Sequence, residues 1–407
     1  MKESNPLSSN MQFPEGLDTR PGPLEGMVVL DLSRAMAGPY ATLMLADAGA
    51  LVIKVEQPGK GDDSRGWGPP FVGPDGALES TYFLSVNRNK LSIELDISSP
   101  DGRLQLEQLV QHADVLVENF RPETRERLNL GDHALEAINT RLVVLSITGF
   151  GEGGPDGHRA GYDQILQGEA GLMSITGPTG GPLTKVGVPI CDILAGMFGA
   201  FGVIAALYER ERSGMGQVVR TSLLEAVLAV HTYQATRWLV AGEIPCCEGN
   251  RHPTISPYGA YECADSSINI AVGSEKLWRD FAPLVGIDPS DPRFVSNTLR
   301  RTNQDELDAL IESKLRTAPA ADWIELLNKS GVPTGRIRTL DEVYEWGQVH
   351  HLGMIDRVTH SLLGEVPLPG PPLSFSRSAR GVSLPPPLLG QHSEIIAQWL
   401  EGWRTRN

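Results

Sequence analysis

The sequence predicts an α/β protein in two domains, and three observations carry that reading. Short apolar runs alternate with helical patterns over roughly the first 225 residues, the signature of strand–helix–strand units. Beyond them the pattern changes to a hairpin followed by three helical stretches. At 407 residues, the chain is also too long for one ordinary core.

Met27 to Leu32 (MVVLDL) reads as a buried strand, with a loop over Ser33 to Gly38 and a helix that Pro39 opens at its favoured first position. Gly49 closes that helix before the second strand, Leu51 to Val55. Leu91 to Leu95, Val115 to Glu118 and Val143 to Ile147 are further strands, with helices at Gly102 to His112 and Asp132 to Asn139. The alternation predicts a Rossmann-like large domain with a parallel sheet. The loop SRAMAGP after the first strand lacks GxGxxG, which disfavours NAD or FAD. Leu223 to Glu243 continues as a long helical pattern, and Tyr258 to Gly273 alternates as a hairpin turning at Asp265–Ser267. Helices at Glu275–Val285, Gln304–Arg316 and Ala320–Ser330 complete a smaller α+β domain. The expected division is a tail at 1–23, a large domain at 24–225 plus 341–407, and a small one at 226–340. Prolines between Pro367 and Pro387 read as an extended connector.

Apolar residues make up 41% of the chain, enough for a sizeable core, and the net charge of −15 argues against a nucleic-acid partner. Met1 to Pro23 lacks the apolar core of a secretory signal, and its acidic residues suit a mitochondrial transit peptide poorly. No uninterrupted apolar run reaches membrane-spanning length, and Ile193 to Leu207 is broken by glycines. The four cysteines form no CxxC pair, so neither zinc nor a redox motif is predicted. Reduced thiols in a cytoplasmic protein are the expectation.

Asp192 opens the helical segment ILAGMFGAFGVIAALYERE. As structure, it is an N-cap. As chemistry, it is a carboxylate that the helix amides and dipole keep ionised, available as a nucleophile.

GPLTKVGVPICDILAGMFGAFGVIAAL resembles the active-site segment of the class III CoA-transferases, the formyl-CoA and carnitine CoA-transferase family. LEGMVVLDLSRAMAGPYATLMLADAGALVIKVEQPGKGDDSRGWGPPF, STYFLSVNRNKLSIELDI, DVLVENFRPETRERLNLG and SITGFGEGGPDGHRAGYDQILQGEAGLMSITG resemble further family blocks in the same order. GVPTGRIRTLDEV and PPPLLGQHSEII match late ones. Within the family, the chain is most similar to the succinate–hydroxymethylglutarate, dicarboxylate-accepting group.

The resemblance implies an interlocked homodimer, no permanently bound cofactor, and a coenzyme A thioester as substrate together with a small carboxylic acid. It implies that Asp192 attacks the thioester to form a mixed anhydride. It carries CoA contacts onto Arg34, Ala35, Met36, Ala37, Asn89, Lys90 and Arg127. Tyr162, Asp163 and Gly259 are the other site candidates. Met36 stands where formyl-CoA transferases have glutamine, which argues against formyl or oxalate specificity. Tyr162 stands where the α-methylacyl-CoA racemases of the superfamily have the histidine that moves the α-proton. A racemase or epimerase, and a catalytically silent CoA-binding protein, remain the alternatives.

Overall fold

The computed structural model describes residues 22–378 and 382–404, with side chains through 401. The tail expected at 1–23 lies outside the described residues apart from its last two positions. Six strands, β1 (Val28–Asp31), β2 (Leu51–Glu56), β3 (Lys90–Glu94), β4 (Val115–Glu118), β5 (Val143–Thr148) and β6 (Val218–Ser222), form one sheet in the order β3-β2-β1-β4-β5-β6. Every pairing is parallel. The winding reverses between β1 and β4, and such a switch point opens a ligand crevice at the strands' carboxyl ends.

The helices that matter for this crevice are α1 (Ala37–Asp47), α2 (Pro100–His112), α3 (Pro122–Arg127), α4 (Asp163–Glu169), α5 (Ile190–Ser213) and α6 (Leu223–Val230). Successive strand residues face opposite sides. Val29, Val52 and Val117 therefore join Ala41, Leu45, Ala195 and Val203 of α1 and α5 in one core. Val28, Leu30, Ile53 and Leu116 join Leu106 and Leu109 of α2 in the other, closed by Ile396 and Trp399 of the last helix, Ser393–Arg404. Gly196 lets α5 approach α1 closely, since a Cβ there would lie 2.7 Å from the Ala37 carbonyl oxygen.

Two details depart from expectation. Helix α1 starts at Ala37 after Met36, so Pro39 is its third residue and not its first. Helix α5 runs 24 residues and is long and apolar enough to cross a membrane by composition, whereas no run of that length was expected. One of its faces is built into the sheet's core.

The chain divides into two compact units. Among the described residues, one comprises 22–172, Val186–Val240, 348–378 and 382–404; the other comprises Met173–Lys185 and Ala241–Gly347. The division differs from the expected one at both ends. Residues 226–240 stay with the large unit because α6 packs on α5 and α4. Met173–Lys185 belongs to the small unit, where the Gly249 N–H donates to the Gly177 carbonyl at 3.0 Å.

In the small unit, β7 (Tyr258–Glu262), β8 (Ser267–Ala271) and β9 (Thr334–Arg336) form an antiparallel sheet in the order β9-β8-β7. Trp278, Phe281, Phe294, Ile311, Trp323 and Leu327 pack beneath it from α7 (Glu275–Phe281), α8 (Gln304–Leu315), α9 (Ala320–Lys329) and a connecting turn.

Candidate active site

The site grows from the buried end of β1. Asp31 is fully buried, and its Oδ2 accepts from Thr42 Oγ1 at 2.6 Å and from Lys90 Nζ at 3.0 Å. Its Oδ1 accepts from the Ser33 amide at 3.1 Å and from the Ser33 hydroxyl. Burial opposes its charge, yet Lys54 and Lys90 together hold the carboxyl well below the ordinary range. Lys54 donates to the Ser33 carbonyl at 3.0 Å and pairs with the Asp62 carboxylate at 2.8 Å.

This buried network supports the loop from β1 to α1. Asp62 Oδ1 accepts the Ala35 amide at 3.1 Å. On the loop's other side, Asn119 Oδ1 accepts the Arg34 amide at 3.0 Å and Asn119 Nδ2 donates to the Arg34 carbonyl at 2.9 Å. Ala35 is thereby held at φ 68°, a left-handed geometry that costs a residue with a Cβ about 1–2 kcal/mol.

Above the loop opens a cavity of about 860 Å³, within the range that holds a sizeable ligand. Arg34, Ala35, Met36 and Ala37 line one wall, and Tyr162, Asp163 and Asp192 line another. Arg34, Arg121 and Arg127 bring three guanidinium groups to the same cavity, none with a carboxylate partner among the described residues. Arg34 rests on the Phe120 ring, 5.8 Å from its centroid. Arg125, two residues before Arg127, does the opposite: it is buried and committed to Glu118, Asp132 and Glu152.

Asp192 is the third residue of α5, behind a Pro189 N-cap, so it does not cap its own helix. The neighbouring Cys191 amide donates instead to Asp163 Oδ1 at 2.9 Å, and Asp163 Oδ2 accepts from Gln167 Nε2 at 2.8 Å. Asp163 thus takes the amide that a nearby anion would use. Asp192 is part-buried, and burial followed by repulsion from Asp163 pushes its carboxyl up to about 7. This corrects the expectation that the helix terminus keeps it fully ionised.

Tyr82 and Trp67 also line the cavity and escaped the sequence reading. Their rings meet edge to face with centroids 4.9 Å apart. Burial, then the charges of Asp192, Asp163 and Asp62, push the Tyr82 phenol up to about 12, so it stays a hydrogen-bond donor. The sequence signal for Tyr82 is an aromatic just after the Ser80 N-cap in STYFLSV, and for Trp67 the GWG turn of RGWGPPF.

Three expected contacts go elsewhere. Lys90 is fully buried and spends its three protons on Asp31, the Pro39 carbonyl at 2.8 Å and Asn87 Oδ1 at 3.0 Å, leaving none for a phosphate. Asn89, also buried, binds Asp47 at 2.8 Å and accepts the Ser383 and Leu384 amides at 3.1 Å each. Both were singled out for CoA and serve the framework. Gly259 lies on β7 in the small unit, where it lines another cavity, and a Cβ there would meet the Asn250 carbonyl at 2.7 Å.

The family model for CoA-transferase family III matches residues 24–393. The mouse (Mus musculus) succinyl-CoA:glutarate CoA-transferase is 39% identical over 376 residues, covering 92% of this chain and 85% of that protein. The succinate–glutarate CoA-transferase of Agrobacterium fabrum is 37% identical over 391 residues, covering 95% and 97%. A crystal structure of a CAIB/BAIF family protein from Brucella suis superposes with a TM-score of 0.84 at 36% identity, covering 94% of this chain and all of that one. A match that takes in the Arg34 loop, the Asp163–Asp192 wall and the sheet joining them means that the chain belongs to CoA-transferase family III and is an enzyme that transfers coenzyme A.

Proposed function

We propose that this enzyme moves CoA from succinyl-CoA to a small dicarboxylic acid, with Asp192 as the covalent nucleophile. The observation that carries the reading is the placement of one part-buried carboxylate, Asp192, in the same cavity as three uncommitted arginines. The names of the relatives support the donor and the acceptor class.

Guanidinium groups of Arg34, Arg121 and Arg127 suit the phosphates of CoA, and the apolar wall at Met36 and Ala37 suits its thioester arm. Asp192 in its ionised form attacks the thioester carbonyl; the C–S bond breaks and CoA leaves as thiolate, giving a mixed anhydride. The thiolate then attacks the aspartyl carbonyl, releasing the donor acid and leaving an aspartyl thioester. The acceptor carboxylate displaces the thiolate from that thioester to form a second anhydride. Attack of the thiolate on the acceptor's carbonyl gives the new acyl-CoA and returns the Asp192 carboxylate. Two activated acyl forms are exchanged throughout, so water must be kept out. The Tyr82 phenol is a donor suited to the oxyanion of these addition steps.

A homodimer belongs to the same reading. The outer face of α5 exposes Met197, Phe201, Ile204 and Tyr208 at helical spacing, with Phe201 72% and Tyr208 69% accessible. A stripe of that kind is covered in a working protein, and a second copy of this chain is the occupant we infer.

Mass analysis after incubation with succinyl-CoA, with hydroxylamine as trap, tests the mechanism. A hydroxamate on the Asp192 peptide is expected. Steady transfer without any modification of that peptide would remove Asp192 from the reaction.

A further inference from the structure

We infer that Asp62 is a positioning residue for the acyl-CoA, acting through the backbone of the Arg34–Met36 loop. The inference rests on the reading that this cavity holds CoA. Asp62 touches no part of the cavity surface itself: it is 2% exposed and absent from the lining. Its Oδ1 serves two segments that contribute to the lining. It accepts the Ala35 amide at 3.1 Å, and it accepts the Ser64 amide at 2.9 Å and the Ser64 hydroxyl at 2.8 Å. The Ser64 contacts start the turn Asp63–Gly66, which ends at Trp67. Arg34, Met36 and Trp67, all on the cavity lining, are thus registered through a single carboxylate oxygen.

The other atoms of Asp62 hold that oxygen still. Oδ2 pairs with Lys54 at 2.8 Å, and the Asp62 amide donates to Glu56 Oε2 at 2.9 Å. Lys54 also donates to the Ser33 carbonyl, so one ion pair grips the loop at two points, the Ser33 carbonyl and the Ala35 amide. Ala35 needs such a grip, because a residue with a Cβ leaves φ 68° when nothing compels it. Arg34 aims at the cavity only while Ala35 keeps that geometry. The free enzyme therefore already has the loop in its binding form, which spares the substrate the ordering cost.

The test compares the CoA dissociation constant, KM for succinyl-CoA and kcat in wild type, Asp62→Ala, and Asp62→Ala combined with Ala35→Gly. Asp62→Ala raises the dissociation constant and KM about tenfold and leaves kcat within about twofold. Glycine at position 35 adopts a positive φ freely, so the double variant recovers about threefold or more of the lost affinity. An Asp62→Ala protein that folds and binds CoA as wild type does overturns the inference, as does a double variant with no recovery. Hydrogen exchange of the unaltered enzyme serves where the variant does not fold. An Ala35 amide protected before CoA is added supports the inference, and one protected only after addition overturns it. Arg34→Ala separates the two levels. If Arg34→Ala leaves CoA affinity unchanged, the cavity assignment falls and Asp62 with it; if it weakens binding, the Asp62 result speaks for Asp62 alone.

Discussion

Asp163 Oδ1 accepts the backbone amide of Cys191 at 2.9 Å, one residue ahead of Asp192. One carboxylate therefore uses the helix terminus that the other lacks, and its charge adds to burial in raising the Asp192 pKa to about 7. A raised carboxylate is a stronger base and a better nucleophile once ionised, at the cost of being partly protonated near neutrality.

The first prediction concerns the rate. If ionised Asp192 attacks, kcat/KM for succinyl-CoA rises with pH through about 7 and then levels. Asp163→Asn removes the like charge but not the burial, so the acid limb moves below 7 without reaching 3.8, the ordinary value. A pH–rate profile of both proteins checks this, and an unmoved limb would count against the coupling.

The second concerns stability. A carboxyl whose pKa is higher folded than unfolded favours folding while protonated, and that advantage is lost as pH rises from about 3.8 through about 7. Asp192→Asn has no charge to bury. It should melt above wild type at pH 8 and close to it at pH 4, with CoA transfer abolished at both. Thermal unfolding at the two pH values is the measurement.

The third separates framework from binding at Lys90. Removing one member of a buried ion network typically costs about 3–5 kcal/mol, so Lys90→Met should be markedly less stable. Its folded fraction should still bind CoA within about threefold of wild type, a span of well under 1.4 kcal/mol. Arg127→Ala and Arg121→Ala should behave oppositely. Each is expected to lose about 5–50-fold in CoA affinity, less so at high salt, with the melting temperature unchanged. Calorimetric titration beside a thermal melt distinguishes the two patterns.

The fourth concerns assembly. Phe201→Asp or Tyr208→Asp on the outer face of α5 should convert a dimer into a smaller species, read by light scattering during gel filtration. A wild-type chain that runs as a monomer would disprove the occupant we infer for that face.

The strands were legible because β1, β2, β4 and β5 are runs of Val, Leu and Ile that serve two cores at once. β6 was not, since VVRTS carries Arg220 and lies at the sheet's edge with only a part-buried pattern. The long pattern after Leu223 breaks near His231 into α6 and a second helix, Thr232–Leu239. No proline or glycine marks that break. At the site, Asp192, Arg34 and Tyr162, chosen by type and place, all line the cavity. Lys90 and Asn89 go to the framework; in sequence, a lysine and an asparagine at the start of a strand look alike whether they face a phosphate or the interior. Only the carboxylates of Asp31 and Asp47, distant in sequence, decide which. Asp62 had no signal of its own, being one acid in a GDDS turn.

The outermost strand β3 is finished by residues that come very late in the chain. Asn89 is met by Ser383 and Leu384, and the Ser92 and Glu94 amides are met by His392 and Ser393. On a ribosome adding about 5–20 residues per second, those partners arrive some 15–60 s after β3 has emerged. For that interval the nascent sheet has a bare hydrogen-bonding edge, the kind that invites pairing with another chain. Synthesis of this enzyme therefore has a window of vulnerability set by chain connectivity, and slow translation or crowded polysomes should lower its soluble yield more than its final stability would suggest.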